Sequence, residues 1–202
     1  MELAVYTHEP ATQRGKDRRD QIIAVATELF HERGFHATGI DEIGLAAGIT
    51  GPGIYRHFAG KDEILIAVFD RIWMMVKEAI DASHLLTATD ALTCLIARHV
   101  QLSVDHRAEF TLLAHDLRYL PADYQTLARM NHGTYRDTWA NAIVVVRPTV
   151  SLEEARLMTS AAWRMSSGIG DTIDRSSLDR ENVESLLVAM TTDAVWGVDA
   201  HA

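Results

Sequence analysis

The feature that most constrains the fold is a short segment, GITGPGIYRHF at residues 48–58, placed between two apolar helical patterns. Upstream, TGID at residues 38–41 fits a helix capping box, and the short helix that it opens is predicted to end at Gly48. Downstream, Thr50 can cap a third helix that Pro52 enters in its first turn, where proline is tolerated. Short helices joined by a glycine turn predict a helix-turn-helix, whose second helix enters the major groove of DNA.

Helical periodicity extends along the rest of the chain. A loose arm at residues 1–13 precedes a helix predicted from Asp17 to a glycine stop at Gly34, and a longer helix is predicted from Lys61 to Ser83. Further helices are predicted at residues 88–105, 108–118, 121–146, 151–174 and 179–196. No run of four or more residues alternates convincingly between apolar and polar, so no strand is expected. The predicted fold is all-α, with about nine helices.

The composition indicates a folded protein whose two parts differ in net charge. The 202 residues are 48% hydrophobic and 23% charged, which is typical of globular proteins. The net charge of −9, taken alone, argues against nucleic acid as a partner. However, residues 14–61 hold seven basic and six acidic side chains, whereas residues 62–202 hold 12 basic and 20 acidic ones. A near-neutral head with basic residues at its edges is therefore followed by an acidic body.

The same sequence carries no membrane or export features. Its apolar runs fall far short of the roughly 18 residues that a membrane span needs, and the N-terminus has no signal-peptide core. Cys94 is the only cysteine, which agrees with a reducing compartment. We therefore expect a cytoplasmic protein without a membrane partner.

Residues 22–65 resemble the DNA-binding head of the TetR family of bacterial transcriptional regulators. The matching elements are LFHERGF at the end of the first helix, a threonine that opens the second, IGLAAG at residues 43–48, and YRHFAGKDEIL at residues 55–65. The resemblance implies a homodimeric all-α protein in which a ligand-binding body controls the spacing of two reading heads. It places the helix-turn-helix domain at residues 14–62 and the ligand-binding and dimerisation domain at residues 63–202.

The resemblance also implies a set of DNA contacts. The residues that it assigns to DNA are Thr38, Thr50, Gly51, Pro52, Gly53, Tyr55, Arg56, His57 and Lys61. In this assignment Thr38 and Lys61 hold phosphates at helix starts. Tyr55 and His57 hold the DNA backbone beside the reading helix, and the remaining five residues face the groove.

The start of the reading helix departs from the family pattern. Many members carry a longer polar side chain where this sequence has Gly51, Pro52 and Gly53. Small residues let the helix approach the bases and phosphates closely, but they read bases poorly. We therefore expect base preference to depend on Thr50, on the residues that follow Gly53, on DNA shape and on the basic arm at residues 14–19.

The body offers material for a small-molecule pocket and for a dimer interface. Predicted pocket residues are Arg98, His99, Phe110, His115, Tyr135, Trp139 and Trp163. Aromatic residues at helical spacing are more often core than ligand contacts, and Tyr135 with Trp139, one turn apart, is the favoured pair. Predicted interface residues on the last two helices are Ala161, Ala162, Met165, Gly168, Val183, Leu186, Leu187 and Met190.

Other site chemistries are weaker. The ten histidines lack the close spacing of a dependable metal site, and Cys94 in an apolar helical stretch is more often simply buried than a redox switch. SSGIGD at residues 166–171 lacks the strand and the lysine of a phosphate loop. We expect no metal, no cofactor and no catalytic residue.

Together these features predict a ligand-responsive transcriptional regulator. It is expected to be a repressor that binds a palindromic operator as a homodimer and is released by a small, largely apolar effector. The segments YRDTW and RPTVSLEEAR loosely resemble actinobacterial family members that are tied to lipid or acyl-CoA metabolism. The alternative is a constitutive DNA-binding or interaction protein without a small-molecule ligand.

Overall fold

The structure is a computed structural model, which describes residues 12–167 and 179–197. Over these residues the chain forms nine α-helices and one 3₁₀ turn, without a strand, so the all-α prediction is confirmed. The helices are α1 (Gln13–Arg33), α2 (Ile40–Ala46), α3 (Gly51–Ile54), α4 (Lys61–Ser83), α5 (Ala88–Asp105), α6 (Arg107–Asp116), α7 (Ala122–Val146), α8 (Leu152–Ser167) and α9 (Arg180–Trp196). The 3₁₀ turn, Leu117–Tyr119, lies between α6 and α7. No helix within these two ranges is long and apolar enough to cross a bilayer.

The described chain divides into two compact units. The head unit contains residues 12–74 and 108–128, and the body unit contains residues 75–107, 129–167 and 179–197. The units divide at three places: between residues 74 and 75 within α4, between residues 107 and 108 at the start of α6, and between residues 128 and 129 within α7. The head unit thus contains the helix-turn-helix together with the first part of α4, nearly all of α6 and the start of α7.

Helix α1 begins earlier than predicted and ends where predicted. Thr12 caps its start, since the threonine hydroxyl accepts a hydrogen bond from the Gly15 N–H at 3.2 Å. Gly34 ends the helix with a φ of 86°, which is the left-handed stop expected from the sequence. The extra turn makes Arg14 part of the helix, whereas the predicted helix began at Asp17.

Helix α3 has the predicted start but is much shorter than predicted. The Thr50 hydroxyl accepts a hydrogen bond from the Gly53 N–H at 3.3 Å, and Pro52 lies in the first turn. Regular helix ends at Ile54 instead of near Phe58, and a turn follows. Two glycines and a proline within three residues have low helix propensity, so the segment does not sustain a longer helix.

The start of α2 corrects the predicted capping box. Gly39 is the cap residue, and its N–H donates to the Glu42 carboxylate at 3.2 Å. Thr38 is 1% exposed, and its hydroxyl donates to the carbonyl oxygens of Leu29 (3.2 Å) and Gly34 (3.0 Å). The threonine therefore ties the start of α2 to the end of α1 instead of capping α2.

Candidate nucleic-acid interface

Helices α2 and α3 approach each other backbone to backbone. A Cβ atom added to Gly44 would lie 2.9 Å from the amide nitrogen of Gly51 and 3.0 Å from the carbonyl carbon of Thr50. The turn between the helices contains Gly48, with a φ of 69°, and closes with a 2.9 Å hydrogen bond from the Ile49 N–H to the Gly44 carbonyl. Two short helices joined in this way form a helix-turn-helix.

Gly44→Ala is expected to destabilise the head unit by about 1–3 kcal/mol, because the new methyl group meets backbone atoms that cannot rotate away. Gly133→Ala in α7 is the matched control, since nothing lies within 4 Å of a Cβ at that position. Removing a helical glycine there is expected to leave stability unchanged or raised. Urea unfolding of both variants tests the prediction, and equal midpoints would show that α2 and α3 do not need the close approach.

Gly51, which was predicted to face the groove, lies against a side chain of α2. Gly51 is buried, and a Cβ atom there would overlap Oδ1 of Asp41 and lie 2.9 Å from its Cγ. The Asp41 carboxylate on α2 therefore occupies the space beside the first turn of α3. A side chain at Gly51 would have to displace this carboxylate, and the exposed residues at the start of α3 are Thr50 and Pro52.

Polar side chains just after α3 remain available to a partner. Tyr55 is 59% exposed, Arg56 is exposed, and His57 is partly buried. Burial lowers the pKa of His57, and the positive charges of Arg18, Arg19 and Arg56 lower it further. Since the ordinary value is 6.5, the imidazole is mostly neutral at pH 7 and offers a hydrogen bond rather than a charge.

Arg19 fixes the segment that follows α3. Its Nη1 donates to the His57 carbonyl oxygen at 2.5 Å, and its guanidinium carbon lies 3.9 Å from the centroid of the Phe58 ring. Its Nη2 is 3.5 Å from Oε1 of Glu63, whose Oε2 accepts a hydrogen bond from the Ala59 N–H at 2.6 Å. Arg19 thereby holds the turn between α3 and α4 in one conformation.

The sequence reasoning missed this role, because it grouped Arg19 with a basic arm. The available indication was its position: Arg19, Ile22, Ile23, Ala26 and Phe30 share the buried face of α1. An arginine in an apolar stripe needs an internal partner for its charge.

Arg18 makes a similar contact one residue earlier. Its Nη1 donates to the carbonyl oxygen of Ala47, immediately after α2, at 3.1 Å. Consecutive arginines of α1 thus hold the ends of both helices of the helix-turn-helix.

Lys61 and Thr38, both predicted to hold phosphates, have internal partners. The Lys61 ammonium donates to the carbonyl oxygens of Phe35 (2.9 Å) and Thr38 (2.7 Å), which closes the loop between α1 and α2. An ammonium has three protons, so one remains for a phosphate. The buried Thr38 hydroxyl donates its proton within the head, and its phosphate contact stays a prediction.

Four of the predicted ligand-binding residues pack against one another in the body unit. This aromatic core cluster consists of His99, Tyr135, Trp139 and Trp163, none of which is more than 7% exposed. The Tyr135 and Trp163 rings stack at a centroid distance of 4.7 Å, and Trp139 lies perpendicular to Trp163 at 5.9 Å. Burial, and then the nearby His132, lower the pKa of His99 to about 3, so its imidazole is neutral.

The other predicted ligand-binding residues lie elsewhere. Arg98 is exposed on α5 and donates to Oε1 of Gln101 at 2.8 Å. Phe110 and His115 belong to the head unit, where His115 is exposed. The cluster therefore combines three aromatic residues with His99, whereas Arg98, Phe110 and His115 are not part of it.

The predicted dimer residues divide between core and surface. Ala162, Val183 and Leu187 are buried in the body unit, where Val183 and Leu187 pack with Val100. The surface residues of the set are Ala161, Leu186 and Met190, and Met165 is half-buried. Gly168 lies outside the described residues. Among the residues that the structure does describe, no group of three or more His, Cys, Asp or Glu side chains is placed to hold a metal ion.

The fold and the packing of α2 on α3 define a helix-turn-helix DNA-binding protein with an all-α body. A family model described as bacterial regulatory proteins, tetR family, matches residues 22–68. Over residues 22–68 the chain is therefore similar to the bacterial regulatory proteins of the tetR family.

Two relatives show how far sequence similarity extends. The HTH-type transcriptional activator FasR of Mycolicibacterium smegmatis is 46% identical over 55 residues, which cover 27% of this chain and only 25% of that protein. The HTH-type transcriptional repressor KstR2 of Rhodococcus jostii is 26% identical over 159 residues, which cover 72% of this chain and 76% of that protein. Identity is thus higher over the short match than over the long one.

Solved structures share the fold along most of the chain. A TetR-family regulator from Bordetella parapertussis 12822 matches with a TM-score of 0.78 and 16% identity, over 91% of this chain and 97% of that one. The regulator FadR from Bacillus subtilis, solved in complex with stearoyl-CoA, matches with a TM-score of 0.68 and 18% identity, over 89% of this chain and 98% of that one.

Proposed function

We propose that the protein is a homodimeric repressor that binds a palindromic operator and is released by an acyl-CoA or a similar lipid-like effector. The observation that carries the proposal is the similarity to the repressor KstR2, because it extends over 72% of the chain and thus beyond the head. The fold shared with a regulator solved in complex with stearoyl-CoA supports the effector class.

Exposed apolar side chains on α8 and α9 support the dimer. Leu157 is 72% exposed, Leu186 is 51% exposed, and Met190 lies one turn beyond Leu186. Apolar side chains of this size favour burial against a second copy, in which the same patch meets itself across a two-fold axis. A two-fold dimer presents two α3 helices, which matches half-sites about one helical turn apart.

The aromatic core cluster is where we place the response to the effector. An acyl chain needs apolar surroundings, and the rings of Tyr135, Trp139 and Trp163 pack against one another there. We expect an effector to insert among these rings by rearranging them, which stabilises a body conformation that differs from the DNA-binding one. The shift cannot exceed its differential affinity for the two states.

An operator-release assay tests the proposal. DNA bound by the purified protein is titrated at fixed salt with stearoyl-CoA, and with coenzyme A alone as the control. Stearoyl-CoA is expected to release the DNA while coenzyme A has no effect. Unchanged binding in the presence of stearoyl-CoA, and of a series of shorter acyl-CoA esters, would contradict the proposed effector class.

A constitutive DNA-binding protein is the second candidate, and the close packing of the aromatic core cluster favours it. Thermal unfolding separates the two functions. A ligand present at 100 times its Kd adds about 2.7 kcal/mol to the stability of the state that binds it. Stabilisation by an acyl-CoA supports the regulated function, and its absence across the acyl-CoA series supports the constitutive one.

A further inference from the structure

Asp41 is the acidic residue nearest to the start of the reading helix. Its carboxylate contacts the position where Gly51 would carry a side chain, and the residue is exposed to solvent. Gly44, one turn further along α2, makes the close backbone contact with the same end of α3. Asp41 therefore lies on the stripe of α2 that borders α3.

The fold does not use Asp41 in the way that it uses the adjacent acid. The carboxylate of Glu42 accepts the Gly39 N–H and pairs with Arg33, so it caps α2 and links it to α1. No ion pair joins Asp41 to any residue in the ranges that the structure describes. Oδ1 lies against the first turn of α3, and the residue is exposed, so the carboxylate can be approached by a group from outside the head at this end of α3.

The way in which a helix-turn-helix binds DNA indicates where Asp41 lies relative to the groove. The second helix enters the major groove by its N-terminal residues, and the first helix crosses the DNA backbone beside it. A carboxylate on α2 that touches the first turn of α3 therefore faces the edge of the groove. Phosphates repel a carboxylate there, whereas a base that offers a hydrogen-bond donor attracts it.

Among the base edges, cytosine meets this need best. Its N4 amino group is a donor in the major groove, and acidic side chains accept from it. Adenine also has a donor, but its N7 acceptor lies beside the amino group and disfavours a carboxylate. Guanine and thymine present acceptors at the corresponding positions.

We propose that Asp41 is a specificity-determining residue whose carboxylate accepts a hydrogen bond from a cytosine at one position of each half-site. The inference rests on the proposed operator binding by the helix-turn-helix. The same carboxylate lowers affinity for DNA in which no donor faces it, which widens the difference between operator and random sequence.

The variant Asp41→Asn tests this inference. Asparagine has nearly the same shape without the charge, and it pairs with the N6 and N7 atoms of adenine. Duplexes are selected from random DNA with the wild-type protein and with the variant at the same salt concentration. At the half-site position where the wild-type motif has cytosine, the variant is expected to select adenine instead. Its preference for adenine over cytosine is expected to be at least about fivefold. Affinity for random duplex DNA is expected to rise.

Glu28→Gln is the control for net charge. Glu28 is exposed and lies opposite the buried face of α1, so its neutralisation changes the charge of the head away from α3. This variant is expected to keep the wild-type motif. An Asp41→Asn motif identical to the wild-type one would overturn the inference, as would the same change of motif in Glu28→Gln. The wild-type selection distinguishes the two failures. If the wild-type protein selects a two-fold motif that Asp41→Asn leaves unchanged, only this inference fails. If the wild-type protein selects no two-fold motif, the proposed function fails as well.

Discussion

Trp139→Ala is expected to lower the free energy of unfolding by about 3–5 kcal/mol, which is the usual range for removing a buried large aromatic side chain. Trp139 is fully buried, and its ring contacts those of His99, Tyr135 and Trp163. The substitution leaves a cavity among stacked rings that have little freedom to collapse into it. A loss of this size is a large fraction of the 5–15 kcal/mol that a typical domain has in total.

Denaturant unfolding measures this loss, with Trp196→Ala as the control. Trp196 is half-buried at the end of α9, so its removal is expected to cost much less. Equal costs for the two variants would show that the aromatic core cluster is not a principal source of stability in the body unit.

Arg19→Met is expected to destabilise the head unit by about 2–3 kcal/mol and to weaken DNA binding. Methionine fills much of the space but leaves the His57 carbonyl oxygen without its donor and Glu63 without its ion pair. The turn between α3 and α4 then loses the contact that fixes it, so Tyr55 and Arg56 lose their fixed position relative to α3.

Urea unfolding and DNA-binding titrations test both parts, with Arg14→Met as the matched control. Arg14 is exposed on the same helix, so this variant removes the same charge without opening the head. Wild-type stability in Arg14→Met and reduced stability in Arg19→Met are expected. Similar losses of stability in both variants would contradict a positioning role for Arg19.

The helix-turn-helix was predictable because its chemistry is local. The stop at Gly34, the cap at Thr50 and the proline in the first turn of α3 depend on a few adjacent residues, and the structure places all three as expected. The capping box of α2 was misplaced by one residue, because both Thr38 and Gly39 precede an acidic residue by three positions. Only the buried environment of Thr38, which the sequence does not show, distinguishes them.

Contacts between distant residues were not predictable in the same way. The sequence indicates that Gly51 is part of a bare helix tip, whereas the structure places the side chain of Asp41, ten residues earlier in the chain, against it. For Arg19, the partners at His57 and Glu63 are about 40 residues away. In each case the sequence shows the residue type but not the neighbour that requires it.

The aromatic residues of the body show a further limit on what helical spacing can predict. Tyr135 and Trp139 have the spacing of one helix face, and that spacing is the same for a ligand pocket and for a packed core. The structure places both in the aromatic core cluster, where Tyr135 also stacks on Trp163 of α8. Periodicity predicts which residues face inward, but it does not predict whether space remains among them.

The central claim is that α3 and the residues after it read DNA as part of a two-fold dimer. Selection of bound sequences from random duplex DNA, with purified protein at one fixed salt concentration, tests it most directly. The account predicts a two-fold symmetric motif with half-sites about one helical turn apart. It also predicts that Arg56→Ala changes base preference within that motif, whereas Tyr55→Phe weakens operator and random DNA alike. Recovery of no symmetric motif by the wild-type protein would contradict the claim.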